Sequence, residues 1–132
     1  MLTGKTALVT GSTSGIGLAI ARAMAAEGAN VVLNGFGEKG AVRDLVAGIG
    51  ATTAGEVVHL PADMAKPDEI AAMMAEAERR FGAVDILVNN AGIQFVSPVE
   101  DFPVDKWDAI IAINLNSAFH TIRAALPKMK AK

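Results

Sequence analysis

The chain of 132 residues contains no cysteine and no tyrosine, one tryptophan and only 5% aromatic residues. Without cysteine, a disulfide framework and a thiolate metal site are both excluded. Neither sign of charge is in large excess, because 12 Lys and Arg stand against 14 Asp and Glu, for a formal net charge of -2. Since no basic stripe is present, nucleic acid and anionic membranes are not expected as partners.

Long hydrophobic runs are missing as well. The N-terminal sequence MLTGKTALVTG carries one lysine before a very short apolar run. That run is too short for a signal peptide or a membrane span, so we expect a cytoplasmic protein. The sequence is 52% apolar and 20% charged, a composition typical of a globular chain with one domain.

Short apolar runs alternate with longer helical patterns. Four runs are β-branched and bounded by Gly, Asn or Pro, which predicts buried strands at Thr6–Thr10, Asn30–Asn34, Val57–Pro61 and Asp85–Asn89. Apolar residues at helical spacing predict three helices between them, with stripes at Ile16–Glu27, Val42–Ile49 and Ile70–Phe81. This alternation predicts an α/β fold with a parallel sheet covered on both faces. Right-handed crossovers then give the strand order 3-2-1-4.

A last helix is predicted from about Pro103 to about Pro127. One of its faces carries an apolar stripe made of Trp107, Ile111, Leu115, Ala118 and Ile122, with Asn114 among them. An unpartnered amide on a buried apolar face would cost about 1–3 kcal/mol. We therefore expect Asn114 to have either a hydrogen bond to a neighbouring strand or a functional partner.

The segment TGSTSGIG, residues 10–17, connects the first strand to the first helix. Backbone N–H groups at the start of a helix hold anions, commonly the pyrophosphate of a dinucleotide. The glycines permit positive φ and a close approach of the ligand, and the hydroxyls of Ser12, Thr13 and Ser14 can donate to phosphate. A plain strand-to-helix turn with a serine cap is the alternative. The strand before and the helix after the segment favour nucleotide binding.

Two motifs together resemble those of the short-chain dehydrogenases: T-G-x-x-x-G-I-G after the first strand and NNAG, residues 89–92, after the fourth. The resemblance covers the whole chain. The segments LNGFG, NNAGIQ and EDFPVDKWDAIIAINL are similar to the D-3-hydroxybutyrate dehydrogenases within that family. The resemblance implies a Rossmann-type doubly wound parallel sheet and NAD-dependent oxidation of D-3-hydroxybutyrate to acetoacetate. Another member of the family, such as a 3-oxoacyl reductase, and a non-catalytic dinucleotide-binding remnant are the alternatives.

The resemblance also implies which residues bind NAD. They are Gly11, Ser12, Thr13, Ser14, Gly15, Ile16, Gly17, Phe36, Asp63, Met64, Asn90, Ala91 and Gly92. By this reading the Asp63 carboxylate accepts a hydrogen bond from the adenine amino group, with the Met64 backbone beside it, and Phe36 lies along the adenosine. An aspartate that only forms a turn is the alternative for Asp63.

One position departs from the usual pattern for NAD. Asp or Glu usually follows the second strand and binds the ribose 2′-hydroxyl, but here Gly35 and Phe36 stand there and Glu38 is the nearest acid. Lys39 is the nearest cation that could favour a 2′-phosphate. The residues alone leave NAD and NADP open, and the resemblance favours NAD.

Two further residues are assigned to the substrate side by the resemblance. Gln94 would contact the substrate carboxylate, although a surface loop position also explains it. Asn114 would hold a water that relays protons to the catalytic centre. His59 and His120 stand far apart in the sequence without a carboxylate cluster, so no metal site is expected.

The proton donor of the family is missing from this sequence. The alkoxide that develops in such a reaction needs a donor, and the family uses a tyrosine, a lysine four residues later and an upstream serine on the fifth strand. The chain has no tyrosine and ends in PKMKAK, where the resemblance predicts the start of that strand. We therefore expect residues 1–132 to be the NAD-binding portion of a dehydrogenase without its catalytic half. The full-length form is expected to be a homotetramer acting on a small 3-hydroxy acid.

Overall fold

A computed structural model describes residues 1–132. Four strands alternate with three helices in the order β1 (Thr6–Val9), α1 (Gly15–Ala26), β2 (Asn30–Leu33), α2 (Lys39–Gly50), β3 (Val57–His59), α3 (Pro67–Phe81) and β4 (Ile86–Val88). The chain continues through a 3₁₀ turn (Val99–Asp101), α4 (Val104–Ile111), a π-helical turn (Ala112–Asn116) and α5 (Ser117–Ala131). None of these helices combines the length and the apolar character that a membrane crossing requires.

The four strands form one parallel sheet in the order β3-β2-β1-β4. In its central rows Leu8 of β1 pairs with Val32 of β2 and Leu87 of β4, and Val32 pairs with Val58 of β3. The predicted α/β class and strand order are therefore confirmed. Each strand ends one or two residues earlier than predicted.

Helices cover both faces of the sheet. On one face Leu8 and Val32 pack with Ile70 and Met74 of α3. On the other face Val9, Val31 and Leu33 pack with Ala21 and Ala25 of α1. Residues that follow each other along a strand point to opposite faces, which explains why the strands are apolar throughout.

The predicted inward face is right for α3 and only partly right for α1, where Ile20 and Met24 pack against the core. Ile70, Met73, Met74 and Ala77 are buried in α3, but Ile16 at the start of the predicted α1 stripe is 74% exposed. Small residues of α1 face the sheet instead, namely Gly17, Ala21 and Ala25. They bring the helix backbone close to the strands, where larger side chains would not fit.

The same error affects the last helix. Ser117, Thr121 and Ala125 are its buried residues, whereas large apolar side chains of the predicted stripe are exposed, including Trp107, Leu115 and Ile122. The predicted end at Pro127 is also wrong, because α5 continues to Ala131. Two lysines hold its last turns to the protein, since Lys128 donates to the Gly82 carbonyl at 3.2 Å and Lys132 pairs with Asp85 at 2.6 Å.

Asp85 fastens the start of β4 to two other elements. Its Oδ2 accepts a hydrogen bond from the Thr6 amide at 2.9 Å, and its Oδ1 accepts one from Lys132 Nζ. Partial burial raises the pKa of Asp85, but the hydrogen bonds from Lys132 and from the Thr6 amide lower it by more, so its pKa lies below the usual value.

Replacing Asp85 by asparagine should lower the free energy of unfolding by ~1–2 kcal/mol at pH 7, because a charge-assisted bond is lost. Since folding lowers the pKa, the contribution of Asp85 is fully present above the carboxyl's unfolded pKa of about 4 and disappears as the pH falls through the lower folded value. In urea titrations, the difference in free energy of unfolding between the unaltered chain and Asp85→Asn should therefore be smaller at pH 3 than at pH 7. The exposed Asp44→Asn variant is the control, and an equal difference at both pH values would contradict this account.

Candidate functional site

A cleft of about 480 Å³ lies at the edge where all four strands end. Its walls come from the loops after β1, β2, β3 and β4 and from the turn between α4 and α5. The lining residues are Gly11, Thr13, Ser14, Ile16, Asn34, Gly35, Phe36, Ala62, Asp63, Met64, Asn90, Ala91, Gly92, Ile93 and Ile113. The structure thus gathers ten of the thirteen predicted cofactor residues around one cleft, and leaves Ser12, Gly15 and Gly17 outside its lining.

The glycine loop has an open side toward the solvent. Gly11 and Gly15 have positive φ angles of 61° and 59°, and a Cβ built on Gly15 meets no atom within 4 Å. Ser14 precedes α1, yet its hydroxyl makes no capping bond to the helix. The serine cap that would explain the loop without a ligand is therefore not formed. A free hydroxyl and the first amides of α1 are left for an anion.

Gly17 has a packing role. It is buried in α1, and a Cβ at this position would overlap Asn90 Nδ2 and the Gly11 carbonyl oxygen. Only glycine allows the first turn of α1 to approach the loops after β1 and β4 this closely. Gly17 therefore holds the loop in place, and its predicted contact with a cofactor stays a prediction.

The prediction for the Ser12 hydroxyl is wrong. Ser12 has no exposed surface, its hydroxyl donates to the Val9 carbonyl at 2.6 Å, and it accepts from the Asn34 amide at 3.0 Å. Because both functions of the hydroxyl are used inside the protein, Ser12 fastens the glycine loop to β2 and cannot bind phosphate.

Thr13 leaves no room for a side chain at the second position after β2. Its hydroxyl donates to the Phe36 carbonyl at 2.9 Å, so the glycine loop lies against the loop after β2. A Cβ on Gly35 would stand 2.5 Å from Thr13 Oγ1, and Gly35 has a φ of +147°. A side chain is therefore excluded at Gly35, while Phe36 remains 78% exposed beside the cleft.

Glu38, the acid that follows β2 most closely in the sequence, caps the start of α2. Its two carboxylate oxygens accept from the amides of Gly40 and Ala41 at 2.9 and 2.8 Å. These two hydrogen bonds lower the pKa of Glu38. Beyond Phe36, a second hollow is lined by nine residues, and Lys39 and Arg43 are among them.

Asp63 keeps one oxygen available. Its Oδ1 accepts from the Ala65 amide at 2.9 Å, which is the turn geometry that the alternative interpretation predicts. Its Oδ2 makes no hydrogen bond within the chain, so both interpretations are compatible with the geometry. Met64 lines the cleft beside it, although its side chain packs in the core. Asp63 is also the one ionisable side chain in the lining.

The NNAG turn is bonded directly to the glycine loop. Asn90 Nδ2 donates to the carbonyls of Thr10 and Gly11 at 3.1 and 3.0 Å. The amides of Asn90 and Ala91 donate to the Thr10 hydroxyl at 3.0 and 2.9 Å. Gly92 completes the turn, and a Cβ there would lie 3.5 Å from Asn114 Oδ1.

Asn114 lies in the π-helical turn and is exposed. Its Oδ1 accepts from the Ile93 amide and its Nδ2 donates to the Ile93 carbonyl, both at 2.8 Å. Its partner is therefore a loop and not the expected strand. The side-chain amide holds the loop that carries Gln94, which is exposed just outside the cleft. A water relay at Asn114 and a substrate contact at Gln94 stay predictions.

Two polar residues of the site, Asn34 and Thr10, were missed by sequence reasoning. Both are 1% exposed, and both bond the loops that line the cleft to one another. The available signal was a polar residue directly after an apolar strand, which reads equally well as the start of a turn. His59 also has a structural contact, since its Nε2 lies 2.8 Å from the Gly35 carbonyl oxygen.

The cleft is equipped for binding and not for proton transfer. Uncommitted amides and a hydroxyl can hold an anion, and the free Asp63 oxygen can accept from an amino group. No second ionisable group lies in the lining, so Asp63 is the only lining side chain that could exchange a proton. No group of three or more His, Cys, Asp or Glu residues could hold a metal ion.

Replacing Gly17 by alanine should lower the free energy of unfolding by ~1–3 kcal/mol, because the added methyl group overpacks the contact with Asn90. Gly48→Ala on α2 is the matched control, since a Cβ there meets no atom within 4 Å. Thermal unfolding measures both variants, and equal stability of Gly17→Ala and Gly48→Ala would contradict the packing role.

Known proteins are similar to this chain in sequence and in fold. The sequence profile of the short chain dehydrogenase family matches residues 5–132. The D-beta-hydroxybutyrate dehydrogenase of Rhizobium meliloti is 62% identical over 97% of this chain, which corresponds to 50% of that protein. The protein of the same name from Cupriavidus necator is 61% identical over 100% of this chain and 50% of its own length. The chain spans about half the length of the curated relatives it matches.

Solved structures have the same fold. A metagenomic short-chain oxidoreductase in complex with NADP has a TM-score of 0.90 and 38% identity, over 98% of this chain and 58% of its own. L-sorbose reductase from Gluconobacter frateurii, complexed with NADPH and L-sorbose, has a TM-score of 0.92 and 32% identity, over 98% of this chain and 49% of its own. The chain therefore belongs to the short-chain dehydrogenase family.

Proposed function

We propose that the chain is the NAD-binding portion of a dehydrogenase that oxidises D-3-hydroxybutyrate to acetoacetate. The observation that carries the proposal is the single cleft built from the ends of four parallel strands and the start of α1. Ligands of open α/β sheets bind at this edge. The substrate class rests on the two D-beta-hydroxybutyrate dehydrogenases that are 62% and 61% identical to the chain.

The residues present fit a nicotinamide dinucleotide. The open space at Gly15, the free Ser14 hydroxyl and the first amides of α1 suit the pyrophosphate. The free Asp63 oxygen suits the adenine amino group, and Asn90 with the Ala91–Gly92 backbone suits the nicotinamide ribose. When bound, the dinucleotide supplies a two-electron acceptor for the hydride of the substrate. The chain's own residues would bind and orient it.

NAD is the proposed form of the cofactor because of the resemblance to D-3-hydroxybutyrate dehydrogenases. The residues around Phe36 admit either form, since Gly35 cannot carry an acid and Glu38 caps α2. NADP is the specific alternative, because solved relatives are complexed with NADP or NADPH and because Lys39 and Arg43 line the neighbouring hollow.

The remaining parts of the proposal concern the complete protein. Gln94 would contact the carboxylate of a small 3-hydroxy acid, and Asn114 would support the proton relay. The tyrosine, lysine and serine that the family uses for proton transfer would come from residues outside this chain. A cytoplasmic homotetramer is the proposed assembly. Association is supported by exposed apolar side chains on α4, the π-helical turn and α5: Val104, Trp107, Leu115, Phe119, Ile122 and Leu126.

Replacing Gly15 by valine should weaken NAD⁺ binding at least about tenfold, because a side chain would occupy the open space at the first turn of α1 and because φ is positive there. Isothermal titration of the chain with NAD⁺ measures the effect. Gly48→Val is the control, since its Cβ also meets no atom within 4 Å and lies far from the cleft. Unchanged affinity of Gly15→Val would refute the assignment of this loop to the pyrophosphate.

Residues 1–132 alone should oxidise no 3-hydroxybutyrate and should self-associate. General acid–base assistance is typically worth about 10²–10⁴ in rate, and no tyrosine is present to supply it. The free edge of β4 and the exposed apolar side chains of α4 and α5 favour association. Sedimentation velocity and NADH absorbance with substrate test both parts. A monodisperse monomer with measurable turnover would contradict them.

A further inference from the structure

Asn34, in the loop after β2, contacts the loops after β1 and β3. It follows β2 and is 1% exposed. Its Oδ1 accepts from the Gly11 amide of the glycine loop at 3.1 Å. Its Nδ2 faces the carbonyls of Leu60 and Ala62, in the loop after β3, at 3.4 Å each. One buried side chain thus joins the ends of β1, β2 and β3.

The backbone of Asn34 strengthens the same junction. Its amide donates to the Ser12 hydroxyl at 3.0 Å, and its carbonyl accepts from the Ser12 amide at 2.6 Å. The polar groups of Asn34 are therefore directed at the walls of the cleft and not at its interior.

Only a neutral amide satisfies this environment. The Gly11 amide requires an acceptor, whereas the Leu60 and Ala62 carbonyls require donors. A carboxylate offers acceptors alone, and an aliphatic side chain offers neither. The contact with Gly11 also holds a residue whose φ is +61°, from which the loop turns toward α1.

We propose that Asn34 positions the adenosine half of the dinucleotide site by fixing the glycine loop relative to the loop that carries Asp63. It acts through Gly11 and Ala62 and is a positioning residue, not a catalytic one. The inference rests on the proposed dinucleotide binding. By this inference, the Asn34 side chain sets the distance between the pyrophosphate and adenine positions.

Isothermal titration of the 132-residue chain with NAD⁺ and with ADP-ribose tests this role. Asn34→Ala should weaken the binding of both ligands about tenfold or more, because both contain the adenosine and the pyrophosphate. Asn30→Ala is the matched control, since Asn30 lies at the other end of β2. Its Oδ1 makes a similar hydrogen bond, accepting from the Glu56 amide at 2.9 Å. Asn30→Ala should lower the unfolding temperature and leave both affinities unchanged.

Asn34→Asp adds a readout that a general loss of stability would not produce. In its neutral form the introduced carboxyl can accept from Gly11 and donate to one of the two carbonyls, whereas its ionised form can donate to neither. Burial raises the pKa of such a carboxyl. Binding of ADP-ribose should therefore be about tenfold tighter at pH 5 than at pH 8. ADP-ribose binding by the unaltered chain, measured over the same pH range, is the control for the other ionisable side chains near this edge, which are His59, Asp63, Glu69 and Glu38.

The outcomes separate the two proposals. No binding of either ligand by the unaltered chain would overturn the proposed function and this inference with it. Binding by the unaltered chain with equal affinities for Asn34→Ala, or with a flat pH profile for Asn34→Asp, would overturn the inference alone. Equal losses in Asn34→Ala and Asn30→Ala would also overturn it, because the effect would then be one of general stability.

Discussion

The site depends on how the polar groups at the ends of four parallel strands are satisfied. Parallel strands end at one edge of the sheet, and the loops that leave them carry backbone donors and acceptors that must find partners away from water. Asn34, Ser12, Thr10 and Asn90 provide these partners across neighbouring loops. These hydrogen bonds connect neighbouring strand ends, so the four loops form one hydrogen-bonded frame. On the solvent side of the glycine loop, the first amides of α1 and the Ser14 hydroxyl remain available for a ligand.

Close packing under this frame explains which residues are buried in the helices. α1 approaches the sheet through Gly17, Ala21 and Ala25, and α5 approaches through Ser117, Thr121 and Ala125. Some larger apolar side chains of both helices point outward, as Ile16 does at the cleft and Phe119 does on α5. The exposed Ile16 places an apolar side chain in the lining of the cleft. Phe119 and its exposed neighbours leave an apolar surface on α5.

Much of the fold could be predicted from the sequence, because apolar strands between glycine-terminated helical stripes are a strong local signal. The sheet order followed from the handedness of the crossovers, and the glycine loop followed from its place between a strand and a helix. The buried face of α5 could not be predicted, and that of α1 only in part, since the hydrophobic pattern marks large residues whereas the closest packing selects small ones. Ser12 was misassigned and Asn34 was missed for a related reason. Whether a polar side chain points toward a ligand or toward a neighbouring loop depends on contacts between residues more than twenty positions apart in the sequence.

The central claim is that the four loops at the carboxyl edge of the sheet form one dinucleotide site. Amide chemical-shift mapping of the isotope-labelled chain during titration with NAD⁺ tests it most directly. The account predicts that the largest shifts appear together at residues 11–17, 35–36, 62–64 and 90–93, with a common dissociation constant. The amides at the opposite edge, around Asn30 and Glu56, should stay unchanged. Shifts confined to one loop, or shifts that fall on the opposite edge, would contradict the account.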